Sequence, residues 1–448
     1  MKRWLDPAGC PSERPPYQEM APATRGLHDA IDSHIRSAHV SYLHPESPTL
    51  MLDMLGSKQV IAWQEGKAAF VFMGEGCWSE LPHIYARYGT TATARLLARL
   101  RELEGARAAV VTDSGMQATA LVFDALMTPG AHAVIMRQVY NKTRTYLEWL
   151  AERVGGSVTI VDDGDHEALS KSLRPQTALV FAETFTNPLM RAQDPVRLGE
   201  IVKASSARLI IDSTIATPWG MQRRLLESVD VVLGSGTKAL GGQDTDLWGY
   251  IATNNSDLAN QVMDLVAMRG GILDWRRATA ILAGLDRAES AHAERCASAT
   301  CIARFLSQHP RVAEVFHPSL PNHPDARAIA EHYTRHGSLL SFRVKDADEA
   351  KTRHLCDVLA TTLVVRYALS FDGLTTKVNH HKTVSEYFTP EEALVKNGFD
   401  RLVRLAVGVE APDDIIACLN WMLHHGEAIT PDEIARWQDA RRRALELA

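Results

Sequence analysis

From Ala106 onward, short apolar runs alternate with longer stretches in which apolar residues recur every three or four positions. The runs are AAVVTD (108–113), HAVIM (132–136), SVTIVD (157–162), TALVFAE (177–183), RLIID (208–212) and DVVLGS (230–235). Their shortness and their content of valine and isoleucine predict strands. QATALVFDAL and NKTRTYLEWLAERVGG, lying between them, predict helices, the second ending on the glycines that suit a helix C-terminus. Strands alternating with helices predict a mainly parallel sheet covered on both faces, with a ligand at the carboxyl ends of its strands. After Asp274 the pattern changes to one long helical stretch, WRRATAILAGLDRAESAHAERCASATCIARFLSQH, followed by turns with proline and by the alternating runs SLLSFRV and RLVRLAVGV. The pattern therefore predicts an N-terminal arm over residues 1–65, an α/β domain over 66–274 and a smaller α+β domain over 275–448.

Composition narrows the function classes. The 448 residues are 46% hydrophobic and 23% charged, as in ordinary globular proteins. A net charge of -6, with acids and bases intermixed, argues against nucleic acid and anionic membrane as partners. No apolar run approaches the roughly 20 residues of a membrane span, and MKRWLDPAGCPSERPP lacks the apolar core of a signal peptide, so a cytoplasmic location is expected. The six cysteines show no CxxC spacing, and the pairs His380-His381 and His424-His425 lack the i, i+4 spacing that joins two imidazoles on one ion. No metal site is expected.

Polar groups gather where the predicted strands end. DVVLGS leads to Ser235, Thr237 and Lys238, RLIID ends on Asp212, and TALVFAE ends on Glu183, followed by Asn187. AAVVTD leads to Ser114, Gly115 and Met116 at the start of a helix. An anion cradle at a helix N-terminus, a carboxylate and a lysine suit pyridoxal 5'-phosphate. Its phosphate needs N–H and O–H donors, its ring nitrogen a carboxylate, and its aldehyde an amine. A rival reading takes Gly234 to Ala239 as the GxGxxA of a nicotinamide-dependent oxidoreductase. That fingerprint belongs to the first βαβ unit, whereas here it follows five earlier strands.

From about Tyr85 to the C-terminus the chain resembles the Cys/Met-metabolism family of fold-type I pyridoxal phosphate enzymes. That family includes cystathionine γ-synthase, cystathionine γ-lyase and methionine γ-lyase. The resemblance rests on DSTIATPWG (212–220), SGTKALGG (235–242), ETFTNP (183–188), SGM (114–116) and RLAVGVE (404–410). It implies a mainly parallel seven-stranded sheet domain with a smaller C-terminal domain. It also implies that Lys238 forms the Schiff base and shuttles protons, that Asp212 pairs with the ring nitrogen, and that Ser235, Thr237, Gly115 and Met116 hold the phosphate. Tyr140 would stack on the ring and serve as an acid or base, and Asn187 would contact the ring hydroxyl. Arg404 and Ser370 would bind the substrate α-carboxylate. Tyr85 and Arg87 would reach the phosphate of an adjacent subunit, which implies a homodimer or homotetramer with active sites at the interface. Plainer readings stay open: Arg404 as a structural ion-pair partner, Tyr140 as the start of a helix, Tyr85 as interface core, Arg87 as a surface cation, and Glu183 as a supporting carboxylate.

The expected activity is γ-elimination from a γ-substituted L-amino acid such as methionine, cystathionine, a homoserine derivative or canavanine. The alternatives are γ-replacement on an O-acyl-homoserine and β-elimination. Departures from the family pattern fall on the substrate side. Asn141-Lys142 follow Tyr140, GGHSD becomes GGQDTD (241–246), and SLG becomes Ser370-Phe371-Asp372-Gly373. Asp113, Asp244 and Asp372 raise the possibility of a basic substrate side chain, which Lys142 opposes.

Overall fold

The computed structural model describes residues 21–22, 86–241, 243–385 and 391–446. The six apolar runs are strands: β1 (Ala108–Thr112), β2 (His132–Met136), β3 (Ser157–Val161), β4 (Thr177–Glu183), β5 (Arg208–Asp212) and β6 (Val231–Gly234). With β7 (Gly249–Thr253) they form a seven-stranded sheet in the order β1-β7-β6-β5-β4-β2-β3. The β3, β2, β4, β5 and β6 pairings are parallel, while β7 runs antiparallel to both β6 and β1. Buried on both faces, these strands carry apolar residues at consecutive positions, for example Val231, Val232 and Leu233.

Helices α1 (Thr91–Glu104), α2 (Gly115–Leu126), α3 (Asn141–Arg153), α4 (His166–Ser172), α5 (Pro195–Val202) and α6 (Ser256–Arg269) accompany this sheet. Side-chain caps set their starts. Thr90 and Thr93 close a reciprocal box on α1, Ser114 Oγ accepts from Gln117 N–H at 3.3 Å, and Asp194 caps α5. The core between helices and sheet includes Leu96, Phe123, Leu147 and Phe181, with Phe123 and Phe181 edge to face at 5.3 Å.

The long amphipathic stretch is one helix, α7 (Trp275–Gln308, 34 residues), capped by Asp274, whose carboxylate accepts from Arg276 and Arg277 N–H. Beyond it lie β8 (Val312–Phe316), α8 (Ala326–His332), β9 (Leu339–Val344), α9 (Glu349–Ala360), β10 (Arg366–Tyr367), β11 (Lys377–His380), α10 (His381–Ser385), α11 (Glu391–Asn397), β12 (Val403–Ala406), α12 (Pro412–His425) and α13 (Pro431–Glu446). Their five strands order as β10-β11-β12-β9-β8, with a second core around Phe342, Leu359, Leu405 and Leu419. A third cluster, with Phe185, Ile215, Tyr333 and Ala406, joins the two sheets. Among the described residues no helix is long and apolar enough to cross a membrane.

Candidate active site

Strand β6 ends at Gly234, and the turn after it is shaped by β7. Thr237 Oγ1 accepts from Trp248 N–H at 2.9 Å and donates to Trp248 O at 3.2 Å. A Cβ on Gly236 would lie 2.1 Å from the buried Trp248 indole, so only glycine fits there. Lys238 leaves this turn, and its Nζ donates to Ser370 Oγ at 2.5 Å while lying 5.3 Å from the centre of the Phe371 ring. Burial holds the Lys238 pKa below that of an ordinary lysine, and Lys377 and Arg404 push the same way against Asp244 and Asp372.

Asp212 ends β5 beside Glu183 at the end of β4, the two being paired in register. Thr214 N–H donates to Asp212 Oδ1 at 2.8 Å, and Tyr140 N–H to Glu183 Oε1 at 2.6 Å. Burial pushes Asp212 up to about 6. Burial lifts Glu183 well above the carboxylate range, and the neighbouring Asp212 charge adds to it. Two buried carboxylates side by side do not both ionise cheaply, so the pair holds one proton tightly between them and carries a single negative charge.

Gly115 and Met116 open α2, where a helix leaves its first N–H groups without intrahelical acceptors. Ser235 packs against this turn so closely that a Cβ on Gly115 would meet Ser235 Cβ at 2.6 Å. Asn187 lies past β4, and its Oδ1 is buried without a partner among the described residues. Arg404, on β12, is 3% exposed, and burial holds its pKa down to about 10. Its Nη2 donates to Leu369 O and Ser370 O, each at 3.2 Å. Tyr140 precedes α3 with half of its surface exposed. Arg87 is exposed in the short turn Ala86–Tyr88, and Tyr85 lies outside the described residues.

The structure adds contacts that no motif announced. Lys377 Nζ donates to Asp244 and, at 2.5 Å, to Asp372 O, while Ser338 Oγ donates to the Asp372 carboxylate. Asp113 accepts from Ser114 Oγ at 3.0 Å. These acids are engaged inside the protein, and their geometry gives no support to a basic substrate side chain. Away from this site, Asp194, Glu331 and His332 bring three potential metal-ligand atoms within 4.8 Å. Asp194 already caps α5 there and Glu331 pairs with Arg327, so both carboxylates are in use.

A family model described as "Cys/Met metabolism PLP-dependent enzyme" matches residues 67–424. The chain belongs to this family. Among curated family relatives, "L-methionine gamma-lyase" from Fusobacterium nucleatum subsp. nucleatum is 32% identical over 344 residues, 76% of this chain and 86% of that protein. "Cystathionine gamma-synthase 1, chloroplastic" from Arabidopsis thaliana is also 32% identical, over 335 residues. That match takes in 74% of this chain and 58% of the Arabidopsis protein, so this chain spans less than two thirds of that relative. The crystal structure of cystathionine gamma-lyase from Lactobacillus plantarum complexed with L-serine superposes with a TM-score of 0.71 at 27% identity, over 78% of this chain and 89% of that one. The family's enzymes use pyridoxal phosphate and the fold is fold-type I.

The residues present fit that cofactor. The unpartnered Asn187 Oδ1 suits a phenolic O–H donor, the first N–H groups of α2 suit a phosphate, and the Asp212 carboxylate suits a protonated ring nitrogen. Thr237 is the exception in detail, since its hydroxyl hydrogen is directed to Trp248 O and must turn before it can donate to a phosphate.

Proposed function

We propose that the protein catalyses γ-elimination from a γ-substituted L-amino acid such as methionine, cystathionine or a homoserine derivative. The observation that carries this reading is the Lys238 amine, partly buried and hydrogen-bonded to Ser370 Oγ, with the Arg404 guanidinium bound to the carbonyls of the same turn. Pyridoxal phosphate, when bound through Lys238, supplies an electron sink beside the substrate Cα. Asp212 would keep the ring nitrogen protonated, Asn187 would meet the ring hydroxyl, and Gly115, Met116, Ser235 and Thr237 would hold the phosphate.

Arg404 Nη2 is tied to two carbonyls, which fixes the plane of its guanidinium so that the remaining donors receive the α-carboxylate. Ser370 Oγ lies where it can pass its hydrogen bond from Lys238 to that carboxylate. Lys238 Nζ, its basicity lowered by burial, would take the proton from Cα, hand it on and, neutral again, take one from Cβ. Tyr140 would lie against the ring, and its hydroxyl would give a proton to the departing γ-substituent. Water then completes release of 2-oxobutanoate and ammonia. A second reading, γ-replacement on an O-acyl-homoserine, is favoured by the equal identity to the Arabidopsis synthase.

On the same reading, residues 66–274 form the cofactor-binding domain and 275–448 the smaller domain. Tyr85 and Arg87 complete a partner's phosphate site in a homodimer or homotetramer, and the location is cytoplasmic. The test mixes purified protein separately with methionine, cystathionine, O-acetylhomoserine, O-succinylhomoserine and canavanine, following the visible spectrum and keto-acid release together. Keto acid from one substrate alone identifies the lyase and its leaving group. Keto acid absent until a thiol is added, with a γ-substituted product, makes it a synthase. A protein without a visible band, or one whose band survives Lys238→Ala, overturns the reading.

A further inference from the structure

Two loops meet over Lys238: residues 243–246, which follow it toward β7, and residues 369–373, which link β10 to β11. Their contact is direct, for a Cβ on Gly373 would lie 2.8 Å from Asp244 Cβ and 3.2 Å from Lys377 Nζ. Asp372 and Asp244 both hold left-handed backbone, with φ of 59° and 60°. Outside glycine that conformation is disfavoured by the clash of Cβ with the backbone and persists where surroundings enforce it. At Asp372 the enforcing contacts are visible. Ser338 Oγ holds its carboxylate and Lys377 Nζ its carbonyl oxygen.

Lys377 opens β11, and its side chain is only 10% exposed. A buried ammonium needs a nearby anion, and Asp244 supplies it from the other loop. Arg295 on α7 ties the 369–373 loop to the turn that carries Lys238, donating to Gly373 O at 3.3 Å and Ala239 O at 3.5 Å. The 369–373 loop so clamped carries Ser370, whose hydroxyl accepts from Lys238, and two carbonyls that orient Arg404.

We propose that Lys377, bridging Asp244 and the Asp372 carbonyl, is a positioning residue that sets the turn 369–372 for recognition of the substrate α-carboxylate. This rests on the function proposed above. Lys377 itself touches neither Ser370 nor Arg404 through any hydrogen bond described; it acts through the turn between them. Removing it frees the Asp372 carbonyl and lets the left-handed residue relax, which moves Ser370 away from Lys238 and Arg404 off its two acceptors.

The test compares wild type with Lys377→Met and with the milder Asp244→Asn, which keeps an acceptor for the ammonium. In the cofactor-loaded protein, the visible band is titrated with L-norleucine, which has no leaving group, and with pentylamine, which is norleucine without its carboxylate. Lys377→Met is expected to weaken norleucine by about tenfold and pentylamine by less than about twofold, and Asp244→Asn to do the same more weakly. Equal losses for both ligands, or none, overturn the proposal. In the cofactor-free protein, hydrogen exchange at amides 369–374 is expected to quicken in Lys377→Met while the large sheet is unchanged. Unaltered exchange there also overturns it. A wild type that forms no visible band, or binds pentylamine as well as norleucine, instead removes the functional reading and the carboxylate role with it, while the exchange measurement still decides whether Lys377 holds the turn.

Discussion

Asp212 and Glu183 show how much of this site's chemistry is stored before any ligand arrives. Both folded carboxyls bind protons more tightly than they do in an unfolded chain, so the folded state loses stability as pH rises from about 4 through about 6. Asp212→Asn removes one titrating partner and keeps an acceptor for Thr214 N–H. In cofactor-free protein at pH 8, urea unfolding should show the variant more stable than wild type by on the order of 1–3 kcal/mol, with the difference vanishing toward pH 4. In the presence of the cofactor the order should reverse, because Asn cannot hold a ring nitrogen protonated. The placement of Lys238, Asp212 and Asn187 at or just past strand ends was legible in the sequence, because each follows a short apolar run. The Lys377–Asp244 pair was not, because its members are 133 residues apart and neither lies in a motif that calls for the other.

At the scale of elements, strands with long apolar runs were readable and β7 was not. GYIAT is five residues long and follows directly on the polar GGQDTDLW. Its direction follows from the chain between β6 and β7, whose described residues form no helix to carry a parallel crossover and which so returns antiparallel. The smaller sheet was only partly legible, since β10 has two residues and β11 buries the polar sequence KVNH. The consequence of β7 for the site is direct, because at its first residue a Cβ would lie 2.4 Å from Ser114 O and 2.7 Å from Gly115 Cα. Gly249→Ala should therefore cost about 1–3 kcal/mol by overpacking and displace the first turn of α2. The expected readouts are a lower urea midpoint and weaker cofactor binding in a titration of the visible band. Gly284, inside α7, is the opposite case, since its nearest neighbour would be 3.9 Å from an added Cβ. Gly284→Ala should stabilise the protein by roughly 0.5–1 kcal/mol in the same assay.

The whole molecule buries imidazoles as well as carboxyls, and the two classes oppose each other with pH. His292 and His317 are completely buried, and burial pushes each down to about 3. An unfolded histidine takes a proton near pH 6.5 while these do not, so the stability they contribute is present above about 6.5 and is lost as pH falls toward 3. At pH 5 each should cost on the order of 2 kcal/mol relative to pH 8. His317→Gln keeps an acceptor for Ser319 N–H, which now bonds Nδ1. The variant should lose that share of the acid sensitivity, so its unfolding free energy falls less than that of wild type between pH 7 and pH 5. An identical slope in the two proteins would place His317 in an environment that accepts charge. The sheets themselves are joined by apolar packing around Tyr333, whose hydroxyl donates to Thr184 O and Gln193 O, and by the Arg191–Asp325 pair at 2.6 Å.

Helix α7 is also a gauge rod. Its 34 residues extend about 50 Å, and Arg295 stands about 30 Å from the capped end. If that rod pivoted at Asp274 by about two degrees, Arg295 would swing by on the order of 1 Å, enough to break hydrogen bonds already at 3.3 and 3.5 Å. The angular tolerance of the site is thus set far from the lysine, by a continuous helix with one glycine and no proline along its length. Substitutions that soften its distant turns would be felt at the turn over Lys238 as a lever feels play at its fulcrum.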